Sequence, residues 1–214
     1  MSDQELFYIG RNKAADKLVE VYHYSHKVPT NIQLCGTLVR DKQPIAAVFF
    51  SIPATRWSEK VLELCRLVRK EDINPKPTLS QVISIACKQI KKNTEHDLLI
   101  SFADSTQGHH GGIYQACSWN YHTLRKPACD GFFIDGVLTA RRTCNHRYGT
   151  SGQGLVKILE EQGHTCVPHF DKGKHLYWKP LNYNGELKAQ RLGFTKSSYP
   201  KPNKETELRV DCKR

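Results

Sequence analysis

Apolar positions along the chain follow two periods, which together predict a mixture of strands and helices. Short apolar runs bounded by turn residues predict strands at 6–9, 33–40, 45–52, 61–68, 98–104, 131–134, 137–142, 165–169 and 175–178. Stripes at helical spacing predict helices at 11–22, 79–90, 154–162 and 184–191, the first with Ala14, Leu18, Val21 and Tyr22 on its apolar side. This order predicts a mixed α/β (α+β) fold with a mostly antiparallel sheet flanked by helices, and not a doubly wound parallel sheet.

Three turn sequences predict which strands pair. Asp41-Lys42-Gln43-Pro44 joins strands 33–40 and 45–52, and Asp135-Gly136 joins strands 131–134 and 137–142, so both pairs are expected to be hairpins. Asp171-Lys172-Gly173 predicts a third antiparallel pair between 165–169 and 175–178. No linker separates these elements, so we expect one domain over residues 1–195 and a basic tail over 196–214.

The segment from Leu98 to Tyr121 carries the strongest functional signal. An apolar strand ends at Asp104, and a turn rich in glycine and histidine follows it. Ile113, Ala116, Trp119 and Tyr121 then predict a helical stripe. Open α/β sheets build sites where a strand delivers a carboxylate beside a glycine-rich helix start, because the first helical N–H groups are unpaired there.

Composition narrows the class of protein. The chain has 214 residues, 39% of them hydrophobic and 25% charged, which is typical of a globular protein. No run of about 18 apolar residues occurs, so we expect no contact with a membrane. Eight cysteines stand singly, which favours reduced thiols over disulfides or a zinc ribbon. The net charge of +11 predicts a polyanionic partner, most simply nucleic acid.

Each candidate side chain also has a purely structural interpretation. Asp104 is either a general base or the cap of the next turn, and Tyr114 is either a proton donor or a core aromatic residue. Arg66 interrupts an apolar strand and needs a partner, such as Asp104 or a phosphate. The basic residues of the second half form either a solvated edge or a DNA-backbone contact surface: Lys126, Arg141, Arg142 and Arg147.

A metal site is only weakly indicated. His169-Phe170-Asp171 matches the His-x-Asp pair of iron facial triads, with His175 as the nearest third ligand. Asp171 is equally explained by a turn. The spacing of these residues does not support iron or any other particular metal.

The chain resembles phage Mom-type DNA-adenine modification proteins, which have a GNAT-like acyltransferase fold. The resemblance covers about residues 20–180. It depends on His23-Tyr24-Ser25 with Pro29, on Glu63-Leu64-Cys65-Arg66-Leu67 and, most specifically, on the segment from Ser101 to Tyr121. It implies a cytoplasmic phage enzyme that adds a carbamoylmethyl group to adenine N6 in double-stranded DNA and so protects that DNA from host restriction, since restriction enzymes read this edge of adenine.

The resemblance also implies a set of site residues. Tyr114 falls where GNAT enzymes often place a general-acid tyrosine, and Tyr24 and Asp104 fall on motif positions that suggest catalysis. The catalytic candidates are Tyr24, Ser101, Asp104, His109 and Tyr114. The candidates for binding substrate or donor are His23, Ser25, Arg66, Gly108, Gly111, Gly112 and Gln115.

One segment departs from the GNAT pattern. Acetyl-CoA enzymes of this class carry a glycine-rich turn that holds pyrophosphate, whereas residues 70–77 have no glycine and two prolines. We therefore favour glycyl-tRNA over acetyl-CoA as the acyl donor, which makes tRNA a second partner. The alternatives are a GNAT enzyme that acylates a small amine or a protein, and a DNA-binding module without catalysis. The sequence does not indicate an oligomeric state.

Overall fold

A computed structural model describes residues 5–53, 57 and 59–201, with the side chains of residues 5 and 6 excepted. Most of the expected basic tail, residues 202–214, lies outside the described residues. Contacts divide the chain into two compact units, the first comprising 1–103, 111–123 and 176–201 and the second centred on 104–110 and 124–175. The prediction of one domain over 1–195 stays a prediction.

A seven-stranded sheet forms the frame of the first unit. Its strands, in spatial order, are β1 (Glu5–Ile9), β2 (Ile32–Arg40), β3 (Gln43–Ser51), β4 (Val61–Arg69), β5 (Leu98–Asp104), β10 (Lys174–Pro180) and β6 (Asn120–Leu124). The first four strands pair antiparallel, and β4 and β5 pair parallel. The fold class predicted from the sequence is therefore confirmed.

Helices cover this sheet through three apolar clusters. Helix α2 (Leu79–Asn93) contributes Val82, Ile83 and Ala86 to one cluster, with α3 (Gly112–Ala116) beside it. Helix α1 (Lys13–Tyr22) contributes Ala15, Leu18 and Val19 to the other, and α6 (Tyr183–Arg191) supplies Ala189 to a third.

The predicted apolar side of α1 was wrong in part. Ala14 is exposed and Val21 is 50% exposed, while Ala15 and Val19 are fully buried. The stripe 15, 18, 19, 22 fits helical spacing as well as the predicted one, and packing against β3 and β4 selects it.

The second unit has its own small core. A three-stranded sheet of β8 (Val137–Ala140), β7 (Cys129–Ile134) and β9 (Cys166–Phe170) packs with α4 (Arg141–Tyr148) and α5 (Gln153–Glu161). Its fully or almost fully buried side chains are Phe132, Cys144, Leu155, Leu159 and Cys166.

The predicted third hairpin was wrong. Strand β9 pairs with β7, whereas β10 belongs to the seven-stranded sheet. Burial explains the separation, because Cys166 joins the cluster around Phe132 while Leu176 and Trp178 join the cluster around Leu98. In the described part of the chain, no helix is long and apolar enough to cross a membrane.

Candidate active site

Strands β4 and β5 are paired over only part of their lengths. Their parallel register runs from Val61 opposite Leu98 to Leu64 opposite Ser101, although β4 continues to Arg69 and β5 to Asp104. A register shift between β3 and β4 lies at the same level, where Phe49 faces Arg66 and Phe50 faces Leu64. Cys65 is therefore the extra residue of a bulge, a feature common beside active sites because it redirects neighbouring side chains.

Ser101 lies at the last paired position of β5, and its hydroxyl is hydrogen-bonded to two groups. Its Oγ atom lies 2.8 Å from the carbonyl oxygen of Leu64 and 2.7 Å from the hydroxyl of Tyr114, and its side chain is fully buried. The serine hydroxyl has one proton, and the Leu64 carbonyl can only accept. When Ser101 donates to Leu64, the Tyr114 hydroxyl is the donor to Ser101 Oγ.

Burial keeps Tyr114 protonated. The side chain is 8% exposed, and its ring packs 5.3 Å from Trp119 and 5.2 Å from Tyr177, measured between centroids. Burial raises the pKa of Tyr114 to about 12, the hydrogen bond with Ser101 opposes this rise, and Tyr24 and Glu63 add to it. At neutral pH this phenol therefore holds its proton and can act as a hydrogen-bond donor or general acid.

Gly111 places Tyr114 by allowing a close approach. Its φ of +86° is a conformation that glycine adopts without strain, and a Cβ there would lie 2.2 Å from Tyr177 Cε2. Gly112 begins α3, whose first two amides have no acceptor within the helix. Gln115 is already engaged, since its Nε2 donates to Tyr177 Oη at 3.0 Å and to the Pro200 carbonyl at 3.3 Å.

The predicted helical stripe after Gly112 was wrong beyond Ala116. Helix α3 spans five residues, and Ser118 then adopts a left-handed φ of 56°. Trp119 follows the helix and Tyr121 lies on β6. Both are buried beside Tyr114 in the same cluster, so the apolar pattern indicated burial correctly but not helical structure.

Tyr24 belongs to a turn at the end of α1. Its ring stacks on His23 with centroids 4.3 Å apart, and it is 53% exposed. The Ser25 backbone N–H donates to His23 Nδ1 at 3.1 Å, and Ser25 Oγ lies 2.9 Å from the same atom. A neutral His23 therefore carries its proton on Nε2. The charge of Tyr24 adds to the rise of the Tyr114 pKa.

Arg66 finds backbone partners. Its Nη1 donates to the carbonyl of Cys65 at 2.6 Å and its Nε to that of Lys27 at 3.2 Å. These contacts hold the half-buried guanidinium beside the turn that carries Tyr24. The sequence predicted Asp104 or a phosphate as the partner of Arg66. In the structure its partners are the carbonyl groups of Cys65 and Lys27.

The other catalytic candidates fall in the second unit. Asp104 Oδ1 accepts from the backbone N–H of Thr106 at 2.9 Å, which caps the short 3-10 helix Ser105–Gln107. Gly108 ends that helix with φ of 73°, and the N–H of the exposed His109 donates to the Asp104 carbonyl at 3.1 Å. Asp104 thus has the structural role that the sequence left open.

The candidate DNA-contacting arginines lie on a helix. Arg141 and Arg142 were expected at the end of a strand, but β8 ends at Ala140 and α4 begins at Arg141. Arg147 lies on the same helix, and all three side chains are exposed, as is Lys126 in the loop after β6.

The weakly indicated metal site has other contacts. His169 Nδ1 lies 2.7 Å from Asp130 Oδ1, and Asp171 Oδ1 accepts from the N–H groups of Ala128 and Gly173, both at 3.0 Å. Asp171 therefore organises the turn. Among residues 5–53, 57 and 59–201, no group of three His, Cys, Asp or Glu side chains is arranged to hold a metal ion.

Glu63, which the resemblance includes, and Tyr177 were not among the candidate site residues. Glu63 lies on β4 one residue before Leu64, and its negative charge adds to the rise of the Tyr114 pKa. The sequence feature that could have identified Glu63 is an acidic residue within an otherwise apolar strand. Tyr177 is fully buried against Tyr114, but it lies 63 positions further along the chain, so local patterns gave no sign of this contact.

Solved structures with similar folds are N-acetyltransferases. The ribosomal-protein-S18-alanine N-acetyltransferase from Escherichia coli is 10% identical, with 86% of this chain and 97% of that chain covered and a TM-score of 0.50. A variant of the spermidine N-acetyltransferase SpeG from Vibrio cholerae is 8% identical, with coverages of 83% and 94% and a TM-score of 0.51. At these identities the likeness shows the fold alone, which is the GNAT fold.

Sequence comparisons are more specific. A search of curated protein sequences finds no match at the threshold of significance. The model of the Mom protein family, in contrast, matches residues 7–201, which include the turn at Tyr24, the last paired position of β5 at Ser101 and the buried Tyr114. This chain belongs to the Mom protein family.

Proposed function

We propose that this protein is a DNA-modifying transferase that installs a carbamoylmethyl group on N6 of adenine. The observation that carries the proposal is the protonated Tyr114 phenol, held by Ser101 where β4 and β5 part, in a chain of the Mom family. A general acid placed at the parting of two strands suits acyl transfer, because the leaving oxygen needs a proton as the bond to carbon breaks.

The loop after β4 argues against CoA as the ordinary donor. Arg69 and Lys76 both bind the carboxylate of Glu71, at 2.9 and 2.8 Å. Burial opposes the shift, but these hydrogen bonds lower the pKa of Glu71, and a hydrogen bond from Tyr22 lowers that of Asp72. Two ionised carboxylates and two prolines therefore occupy the stretch where a GNAT enzyme would offer amides to a pyrophosphate.

We therefore assign glycyl-tRNA as the donor. Adenine N6, in a base flipped out of the duplex, attacks the glycyl ester carbon, and the proton of the attacking amine passes to water. The ester C–O bond breaks as Tyr114 gives its proton to the ribose oxygen of the tRNA, and the phenolate regains a proton from water before the next turnover. Ser101 then turns its hydroxyl from Leu64 toward the Tyr114 phenolate, which its 2.7 Å separation allows.

A rearrangement completes the product. The glycyl amine attacks C6 of the purine, and the C6–N6 bond breaks, so that the original N6 becomes the carboxamide nitrogen. The product is an isomer of the first intermediate, and no oxidant or further reactant is needed. Tyr24 and the first amides of α3, at Gly112 and the residue after it, stabilise the oxyanion of the first step.

Isotope labelling in cells tests this assignment. DNA from cells that express the protein is digested to nucleosides and analysed by mass spectrometry after growth on 15N-glycine or 13C-acetate. We expect modified adenine with the glycine nitrogen bound to C6 and with no acetate carbon. Label from acetate but not glycine would instead support a CoA-dependent acyltransferase, and unmodified DNA with an acylated amine or protein would contradict the DNA substrate.

A further inference from the structure

Helix α4 of the second unit presents a solvent-facing surface that acyl transfer does not use. Cys144 is fully buried and anchors the helix in its cluster, and Tyr148 packs against the same cluster. The other six residues are exposed. Two residues correspond to about 200° of helical rotation, so Arg142 and His146 lie opposite Cys144, with Asn145 beside them.

Helix stability explains only part of the composition of this surface, since the dipole favours His146 and Arg147 in the last turn but not the arginines of the first turn. Three arginines, an asparagine and a histidine occupy α4, and it contains no acid. Thr143, Asn145 and His146 are poor helix formers. Arg141 and Arg142 stand in the first turn, where the helix dipole repels cations, and Ala140 provides no side-chain cap. A polyanion at this surface would relieve that repulsion.

We infer that α4 reads duplex DNA from the major groove, with its outer face toward the base edges and its flanking arginines toward phosphates. The major groove, about 12 Å wide, admits a helix. Arginine pairs with the O6 and N7 atoms of guanine, and asparagine with the N6 and N7 atoms of adenine. Arg142 and Asn145 thus supply base contacts, and Arg141 and Arg147 supply backbone contacts.

This inference adds sequence selection to the proposed function and rests on it only in taking DNA as the substrate. The A-form major groove of duplex RNA is too narrow for side chains to read. We therefore expect α4 to distinguish base sequences in duplex DNA only. Duplex RNA would bind through contacts to its phosphates, without selection of base sequence.

Binding selection from a pool of random DNA duplexes tests the inference with the full chain. We expect Asn145→Ala to relax selection at one base position by about fivefold to 150-fold, with affinity for random DNA unchanged. Arg142→Lys, which keeps the charge but loses the planar fork, should relax a second position in the same way. Arg147→Ala should weaken all sequences alike and reduce the salt slope by about one.

Lys157→Ala is the matched control, because it removes an exposed cation from α5 of the same unit and should leave the selected sequence unchanged. An unchanged selected sequence in Asn145→Ala and Arg142→Lys would overturn the inference, and so would an equal loss for every sequence. The selection experiment measures DNA binding only, whereas nucleoside mass spectrometry tests whether adenine is modified. Failure of this inference can therefore be distinguished from failure of the proposed function.

Discussion

The Tyr114 hydroxyl and Ser101 Oγ lie 2.7 Å apart at the last rung shared by β4 and β5. Both side chains are buried, and the second neighbour of Ser101 is the Leu64 carbonyl, which can only accept a proton. This pair gives the phenol an acceptor in the resting state and a donor once it has lost its proton.

Tyr114→Phe should reduce adenine modification by about a hundredfold or more, because it removes the acid and leaves the ring in place. Nucleoside mass spectrometry measures the loss. Tyr121→Phe is the control, since Tyr121 is also buried and its ring packs 5.2 Å from Tyr177. Full modification by the Tyr114 variant would contradict its assignment as the acid.

Ser101→Ala should both slow modification and destabilise the fold. The Leu64 carbonyl and the Tyr114 hydroxyl would lose their common partner in a buried place, at a cost of about 1–3 kcal/mol. Urea unfolding measures that cost. Ser101→Thr keeps the hydroxyl and should recover part of the activity; if it recovers none while folding normally, the hydroxyl is not what the site requires.

The pH dependence of the reaction should show no alkaline limb from Tyr114 up to about pH 10. Burial raises the pKa of Tyr114 to about 12, so the acid form persists until the pH approaches that value. Initial rates at increasing pH, with DNA and donor saturating, test this. A decline centred near the ordinary tyrosine pKa that disappears in Tyr114→Phe would show that the phenol ionises earlier.

Gly111→Ala should disrupt the site more than Gly136→Ala. Both glycines have positive φ, 86° and 80°, so each substitution introduces backbone strain of about 1–2 kcal/mol. Only at Gly111 would the new Cβ also meet the Tyr177 ring, at 2.2 Å, whereas nothing lies within 4 Å at Gly136. We expect a larger loss of stability and of activity for Gly111→Ala, measured by urea unfolding and nucleoside analysis; equal losses would contradict the packing argument.

Asp171 should stabilise the protein at neutral pH but not in acid. Burial opposes the shift, yet hydrogen bonds from the N–H groups of Ala128 and Gly173, with the charge of Lys174, lower the pKa of Asp171. The stabilisation is present above the unfolded pKa of about 3.9 and is lost as the pH falls through the lower folded value.

Asp171→Ala should therefore cost about 2 kcal/mol at pH 7, and the difference from wild type should narrow below about pH 4. Urea unfolding at both pH values measures it. Glu161→Ala, which removes an exposed acid from α5, should change stability little at either pH. A constant difference across the pH range would show that the charge of Asp171 contributes nothing.

Prediction from the sequence succeeded where local patterns determine structure. The strand that ends at Asp104 has the predicted bounds, and the turns at Asp41 and Asp135 form the expected hairpins. The candidate DNA-contacting residues Arg141 and Arg142 were assigned to the wrong element, because two residues at a strand end do not reveal where a helix begins. Strand β9 pairs with β7 because Cys166 is buried in the cluster around Phe132. The residues next to Cys166 in the sequence do not indicate which cluster will bury it.

The sequence by itself determined the type of most elements, the basic charge and the motif around Ser101 and Tyr114, because these follow from side chains close together in the chain. Only the tertiary structure decided that Ser101 bonds to Leu64 and that the Tyr177 ring packs against Gly111. These contacts join residues 37 and 66 positions apart. Their geometry depends on strand order and register, which are set by the burial of whole faces rather than by any short segment.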